Sequence, residues 1–293
     1  MSDFSSPSPA VSVDSNKEVV KRYYNYTRIF YRLFWHGDTD SLHYGFYDET
    51  VKNHREALLK TIEVTAQSAN VSSGDEVVDL GCGVGGTAFW ITKNIGAHAT
   101  GITISEAQYK KAKRLRAKYG LEANTEFVLG DFFHTPFSGD NFDVIVSIEA
   151  SCYGQYAIDA LAREMYRILR PGGRIAIMDG YLGTKELTSV EQKQVRDFEV
   201  GLALQKMITP DAFMSALKKV GFLDVSFSEY TENVLPTAKY MAALTSRWHV
   251  LTKLLTRLKI VPSLVLKNNI AGQVQYELTK NRALVYGCIT AKK

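Results

Sequence analysis

The chain has 293 residues, 45% of them apolar, and a formal net charge of only +4. That is enough apolar material for one large α/β domain with an added cap, or two small domains, and too little concentrated positive charge for a nucleic-acid binder. The three cysteines, Cys82, Cys152 and Cys288, are too widely spaced for a disulfide framework or a zinc site, which points to a reducing, cytoplasmic setting with no bound metal.

Residues 1–16 are rich in Ser and Pro and read as a disordered tail; without a basic start and an apolar centre they do not form a secretory signal. Residues 17–67 read as a mainly helical N-terminal cap. The core, residues 68–229, begins with the run Val77-Val78-Asp79-Leu80, which opens into Gly81-Cys82-Gly83-Val84-Gly85-Gly86 and a helix over 87–94. Further parallel strands are expected at 98–102, 125–129, 142–148 and 174–179, separated by helices at 106–119 and 157–169. Pro171-Gly172-Gly173 is expected to stop the last of these helices. A helix over 210–220 and strands at 224–228 and 284–290 complete the pattern. Strands alternating with helices predict a Rossmann-like, seven-stranded, mostly parallel sheet covered on both faces. Residues 230–280 read as a helical lid insertion, and 281–293 as the final strand of the core. Both caps are placed at the carboxyl ends of the strands, where such sheets bind ligands. No run of about 18 apolar residues exists, so no membrane-spanning helix is expected.

The glycine-rich turn lets the backbone pass close beneath a ligand. Its form, D-L-G-C-G-x-G-G, resembles the first motif of class I S-adenosylmethionine-dependent methyltransferases, which implies that cofactor, held by Asp79, Gly81, Cys82, Gly83 and Gly85. After the second strand the chain reads Gly101-Ile102-Thr103-Ile104-Ser105, with no carboxylate for a ribose. The run through Gln108 is similar to the G-x-T-x-S-x-x-Q variant of cyclopropane fatty acid synthases, in which Thr103 and Gln108 would serve the ribose. Ser105 reads equally well as a helix N-cap, and Glu106 as a first-turn acid. Asp131 and Phe132, after the third strand, suit the adenine amine and ring; Asp131 also reads as a turn residue.

On the acceptor side, Glu149-Ala150-Ser151-Cys152-Tyr153 resembles the E-A-T-C-H segment of sterol C-methyltransferases, as does Asp197-Phe198-Glu199-Val200-Gly201. His43-Tyr44-Gly45-Phe46-Tyr47 is as close to the H-H-G-Y-Y of tocopherol methyltransferases. The resemblance covers roughly residues 20–230 and implies that Tyr24 and Tyr44 reach the cofactor. Ten of the 25 residues from Tyr23 to Tyr47 are aromatic, a composition suited to an apolar ligand or a passing cation. Alkene methylation needs a carboxylate near the methyl group, and Glu149 is the candidate, with His43 and Tyr153 as second candidates for the base. The expected acceptor is a lipophilic small molecule, sterol-like or isoprenoid, methylated at carbon. O- or N-methylation of a phenolic or alkaloid-like metabolite, cyclopropane synthesis, and cofactor binding without turnover are the alternatives. In the lid, Leu244, Trp248, Leu251, Leu255 and Leu258 fall on one helical stripe, expected to pack, with Arg247, Lys253 and Arg257 solvated beside it. The other reading of those cations is contact with a phosphate-bearing acceptor or an acidic membrane surface.

Overall fold

The computed structural model describes Val20 and residues 39–293. The expected tail, most of the aromatic N-terminal segment and Tyr24 lie outside the described residues.

Seven strands form one sheet in the order β3-β2-β1-β4-β5-β7-β6. They are β1 Glu76–Leu80, β2 His98–Thr103, β3 Thr125–Leu129, β4 Phe142–Ile148, β5 Leu169–Leu182, β6 Leu223–Glu229 and β7 Leu284–Lys292. The first five run parallel, and β7 runs antiparallel to both β5 and β6. This is the predicted Rossmann-like α/β sheet. Its strand order reverses between β1 and β4, so the crevice for a ligand opens at their carboxyl ends.

The helices are α1 His54–Ser68, α2 Gly86–Ile95, α3 Glu106–Tyr119, α4 Ile158–Ile168, α5 Ser189–Gly201, α6 Pro210–Val220, α7 Thr231–Arg257 and α8 Ser263–Lys280. Neighbouring strand residues point to opposite faces. Val78, Ile145, Ile175 and Ile177 meet Leu161, Met165, Phe213 and Leu217 of α4 and α6 on one face. Val77, Val144, Val146 and Met178 meet Ile62, Ala66 and Ile91 of α1 and α2 on the other. The continuous apolar runs of β1 and β4 follow from this double burial.

Several boundaries differ from expectation. The helix placed in the N-terminal cap, α1, lies on the sheet face instead, because Ile62, Ala66 and Ala69 belong to the core there. α4 ends at Ile168, three residues before Pro171-Gly172-Gly173, which lie within the first part of β5 and do not form the helix stop, with Gly172 N–H donating to Lys293 O at 2.9 Å. Residues 189–201 form a helix that was not assigned above. Its start is set by a capping box in which Thr188 and Glu191 exchange side-chain and backbone hydrogen bonds. The lid resolves into α7 and α8, packed together: a Cβ on Gly272 would lie 2.4 Å from Thr245 Cγ2. No helix among the described residues is long and apolar enough to cross a membrane.

The stripe of α7 is not packed as expected. Its buried residues, Thr231, Val234, Thr237 and Ala238, all lie near its N-terminus. Trp248, Leu251 and Leu258 are 43%, 44% and 58% exposed.

Candidate active site

The turn after β1 has three glycines, Gly81, Gly83 and Gly85, with φ of 84°, 56° and 100°, a region where a side chain is strained. Gly81 is also required by a neighbour. A Cβ there would lie 2.2 Å from that of Ala150, in the turn that leaves β4. At Gly83 the space is open, and a Cβ would meet only Gln108 Nε2 at 3.9 Å. The missing side chain therefore leaves a cradle in the floor of a cleft of about 570 Å³.

That cleft is lined by Asp79, Gly81, Cys82, Gly83, Thr103, Gln108, Asp131 and Phe132, bringing together residues the sequence placed on three different strand ends. Gly85 does not line it; it packs beneath the turn, where a Cβ would lie 2.5 Å from Phe127. Asp79 is buried, and burial pushes its carboxyl up to about 7. Its Oδ2 has no hydrogen-bond partner among the described residues. Thr103 Oγ1 donates to Gln108 Oε1 at 2.8 Å, which leaves the Gln108 amide N–H groups as donors. Ser105 caps α3, accepting from Gln108 N at 3.3 Å. Glu106 is exposed and pairs with Lys110 at 2.6 Å, an ordinary first-turn acid. Asp131 Oδ1 accepts from Phe133 N at 3.0 Å in a turn, and the residue also lines the cleft. Burial raises the Cys82 thiol well above its usual range, so it presents no thiolate.

A second cavity of about 140 Å³ adjoins the first. Phe198, Leu202, Leu204, Met207, Met241 and Val285 make it apolar, and Tyr44 and Tyr286 bring aromatic rings. Leu42, His43, Glu149 and Tyr153 line both cavities. Glu149 takes a left-handed backbone conformation, φ 48°, a strain seen where a side chain must be aimed. Its Oε1 accepts from Tyr44 N–H at 2.5 Å and from Tyr286 O–H at 2.9 Å. Those bonds favour the carboxylate, but burial outweighs them and lifts the group to about 8. Burial holds the His43 imidazole down to about 4, so it is neutral near pH 7. Its Nδ1–H donates to Tyr44 O at 2.9 Å, which makes Nε2 the basic nitrogen. Tyr153 O–H donates to Leu202 O at 3.2 Å.

Tyr44 is placed differently from expectation. It does not line the cofactor cleft. Its ring stacks on Tyr286 at 5.7 Å and its hydroxyl bonds to Gln275 of α8, which turns it into the second cavity. Arg247, Lys253 and Arg257 line neither cavity. The sequence also missed Tyr286 and Asp179. Asp179 lines the second cavity and is lifted to about 6 by burial, while Ser151 Oγ and Cys152 N–H donate to it at 2.6 and 2.8 Å. The available signal was a tyrosine and an aspartate inside otherwise apolar strands.

Residues 77–173, which carry the cleft, match a family model described as a methyltransferase domain. Methyltransferase GfsG of Streptomyces halstedii is 33% identical over 68% of this chain and 72% of its own length. The chloroplastic tocopherol O-methyltransferase of Arabidopsis thaliana is 27% identical over 97% of the chain and 84% of its own length, so similarity continues well past Tyr230. The structure of a cyclopropane synthase from Mycobacterium tuberculosis superposes with a TM-score of 0.80 at 16% identity, covering 98% of this chain and all of that one, and shares the fold. The chain also matches fungal sterol 24-C-methyltransferases, spanning 54–61% of the length of those from Gibberella zeae and Saccharomyces cerevisiae.

Proposed function

The chain belongs to the class I S-adenosylmethionine-dependent methyltransferases, and on that premise we propose that it methylates a lipophilic small molecule, sterol-like or isoprenoid, at carbon. One observation carries this: Glu149 stands where the glycine-turn cleft meets an apolar, ring-lined chamber. The cleft residues fit the cofactor. Asp79 offers an unpartnered carboxylate oxygen for the methionine amine. Gln108 offers amide donors for the ribose, Asp131 a carboxylate for the adenine amine, and Gly83 the room for the backbone to pass beneath. S-adenosylmethionine supplies an electrophilic methyl group on a sulfonium centre.

The chain's own residues account for the rest. Glu149, which lines the cleft, would give up its proton and be held as a carboxylate once a positive sulfonium occupied that cleft. The bonds from Tyr44 and Tyr286 then hold Oε1 in place. An acceptor double bond attacking that methyl would form a carbon–carbon bond as the carbon–sulfur bond broke, with S-adenosylhomocysteine leaving, and the acceptor would become a carbocation whose adjacent C–H is strongly acidic. Glu149, or His43 through Nε2, takes that proton, and the electron pair closes a new double bond. Even a base as weak as His43 suffices for so acidic a proton, whereas a phenol would need Glu149. The rings of Tyr44, Tyr153 and Tyr286 shield the cation from water. A cytoplasmic location and peripheral contact with a membrane, where such acceptors reside, belong to the same proposal.

The near full-length similarity to a tocopherol O-methyltransferase supports a second reading, oxygen methylation of a phenolic acceptor. Incubating the protein with methyl-labelled S-adenosylmethionine and a lipid extract separates the two. We expect label in an apolar product, with NMR of the labelled methyl showing a carbon neighbour. An oxygen or nitrogen neighbour selects the alternative, and label in no product, despite cofactor binding, points to a non-catalytic binding protein.

A further inference from the structure

The outer end of the α7–α8 pair is not used by the site described above. Trp248, Val250, Leu251, Leu254, Leu258 and Ile260 are exposed there, from 43% for Trp248 to 79% for Val250. Large apolar groups gathered on one exposed helix end mark an interaction surface more than a solvated face. The charge around them is one-sided. From Asn233 to Tyr276 the chain carries Lys239, Arg247, Lys253, Arg257, Lys259 and Lys267 and no Asp or Glu, more positive charge than the whole chain's net +4. Arg247, Lys253, Arg257 and Lys259 are exposed among the apolar groups. Apolar side chains ringed by Lys and Arg, with a tryptophan at the edge, match the interface of a negatively charged bilayer. A protein partner or a second copy would more often be met by mixed charges.

We propose that the tip formed by the end of α7, the following turn and the start of α8 docks on the surface of an anionic lipid bilayer. The helices lie in the interface and do not span it. Apolar residues enter the acyl boundary while Arg247, Lys253, Arg257 and Lys259 meet lipid phosphates. The same two helices wall the second cavity through Met241, Thr245, Asn268 and Gly272. They are tied to each other there, Asn269 Nδ2–H donating to Thr245 O at 2.7 Å and His249 bonding to Asn269 at 2.8 Å. Docking therefore brings the acceptor chamber's wall to the membrane. The value of this to the protein rests on the lipophilic acceptor; the docking itself does not.

Flotation of the full chain with vesicles tests it. We expect partitioning at least tenfold stronger onto phosphatidylcholine vesicles containing phosphatidylserine than onto phosphatidylcholine alone, weakened by salt. Trp248 emission should shift to shorter wavelength on binding, and Trp248→Phe should remove that shift. Leu254→Glu with Leu258→Glu should cut partitioning tenfold or more, and Arg257→Gln with Lys259→Gln about tenfold, with S-adenosylmethionine affinity unchanged in both. Equal binding to the two vesicle types, no binding, or variants that bind like the parent overturn the proposal. So does a dimer in sedimentation that the leucine variant dissociates, which assigns the face to a second copy. Vesicle binding without methyl transfer keeps the docking surface and removes the acceptor; methyl transfer without vesicle binding does the reverse.

Discussion

The cofactor cleft and the chamber beside it are assembled in opposite ways. The cleft is built at the ends of β1, β2, β3 and β4 by residues that follow their strands within a few positions: Asp79 to Gly83, Thr103 to Gln108, Asp131 with Phe132. Each piece is a strand, a turn and the start of a helix, so local backbone rules place it. The chamber draws Tyr44, Glu149, Met207, Thr245, Gln275 and Tyr286 from segments far apart in the chain. Its polar contacts span equally long separations, with Tyr286 of β7 holding Glu149 of the β4 turn. A cleft of local turns suits a ligand shared across a family; a chamber of distant side chains is free to vary with the acceptor. Variants should therefore separate the two regions cleanly.

The largest effect is expected in the cleft. Gly83→Arg fills the open floor and strains the turn, whose φ there is 56°, and should weaken S-adenosylmethionine binding by roughly a hundredfold or more in calorimetry; no packed atom is displaced, so circular dichroism should show the fold retained. Retained affinity would mean that the cradle is not the cofactor's seat. Next comes the junction. Glu149→Gln should lower kcat by roughly a hundredfold or more while cofactor affinity stays within a factor of about three; unchanged turnover removes Glu149 from the chemistry. Smaller is Tyr286→Phe, which removes one of the two donors to Glu149 Oε1. Turnover should fall about tenfold, and the acid-side limb of the rate profile, set by protonation of Glu149, should move up in pH. An equal fall in cofactor affinity would show that chamber and cleft are one unit.

The smallest effect concerns pH. Burial holds Glu149, Asp79 and Asp179 at about 8, about 7 and about 6, above the usual carboxylate range. Stabilisation from their neutral forms is complete at acid pH and is lost as pH rises through those values. His43, held at about 4 against an ordinary 6.5, acts in the opposite sense and is fully in place above 6.5. Between pH 6.5 and 8 only the loss remains. The ligand-free protein should therefore melt at lower temperature toward pH 8, with a slope of at most about 1.4 kcal/mol per pH unit for each group. Glu149→Gln should flatten that slope; the same slope in the variant would show that Glu149 titrates normally.

The strand and helix order, the glycine turn and the positions of Thr103, Gln108 and Asp131 at the strand ends were legible in the sequence because each depends on neighbours within a few residues. Glu149 was legible as a carboxylate leaving β4, but not its strained backbone or its raised affinity for a proton, which come from Tyr44, Tyr286 and burial. Tyr44 was sent to the wrong cavity because its position depends on a stack with Tyr286 and a bond to Gln275, 231 residues away in sequence. The α7 stripe has correct helical spacing yet stays exposed, since periodicity says which residues share a face and not whether anything covers it.

Apolar runs and turn residues by themselves determined a mostly parallel sheet with a ligand crevice at the carboxyl ends of its strands, because hydrophobic burial and glycine's backbone freedom act over short stretches of chain. Only the folded molecule decided that Tyr286 and Tyr44 close on Glu149, that Asp179 stands behind them, and that the α7–α8 tip faces outward. Those outcomes depend on which distant surfaces meet when the helical layer packs on the sheet, and on the desolvation that packing imposes on the carboxyl groups it encloses.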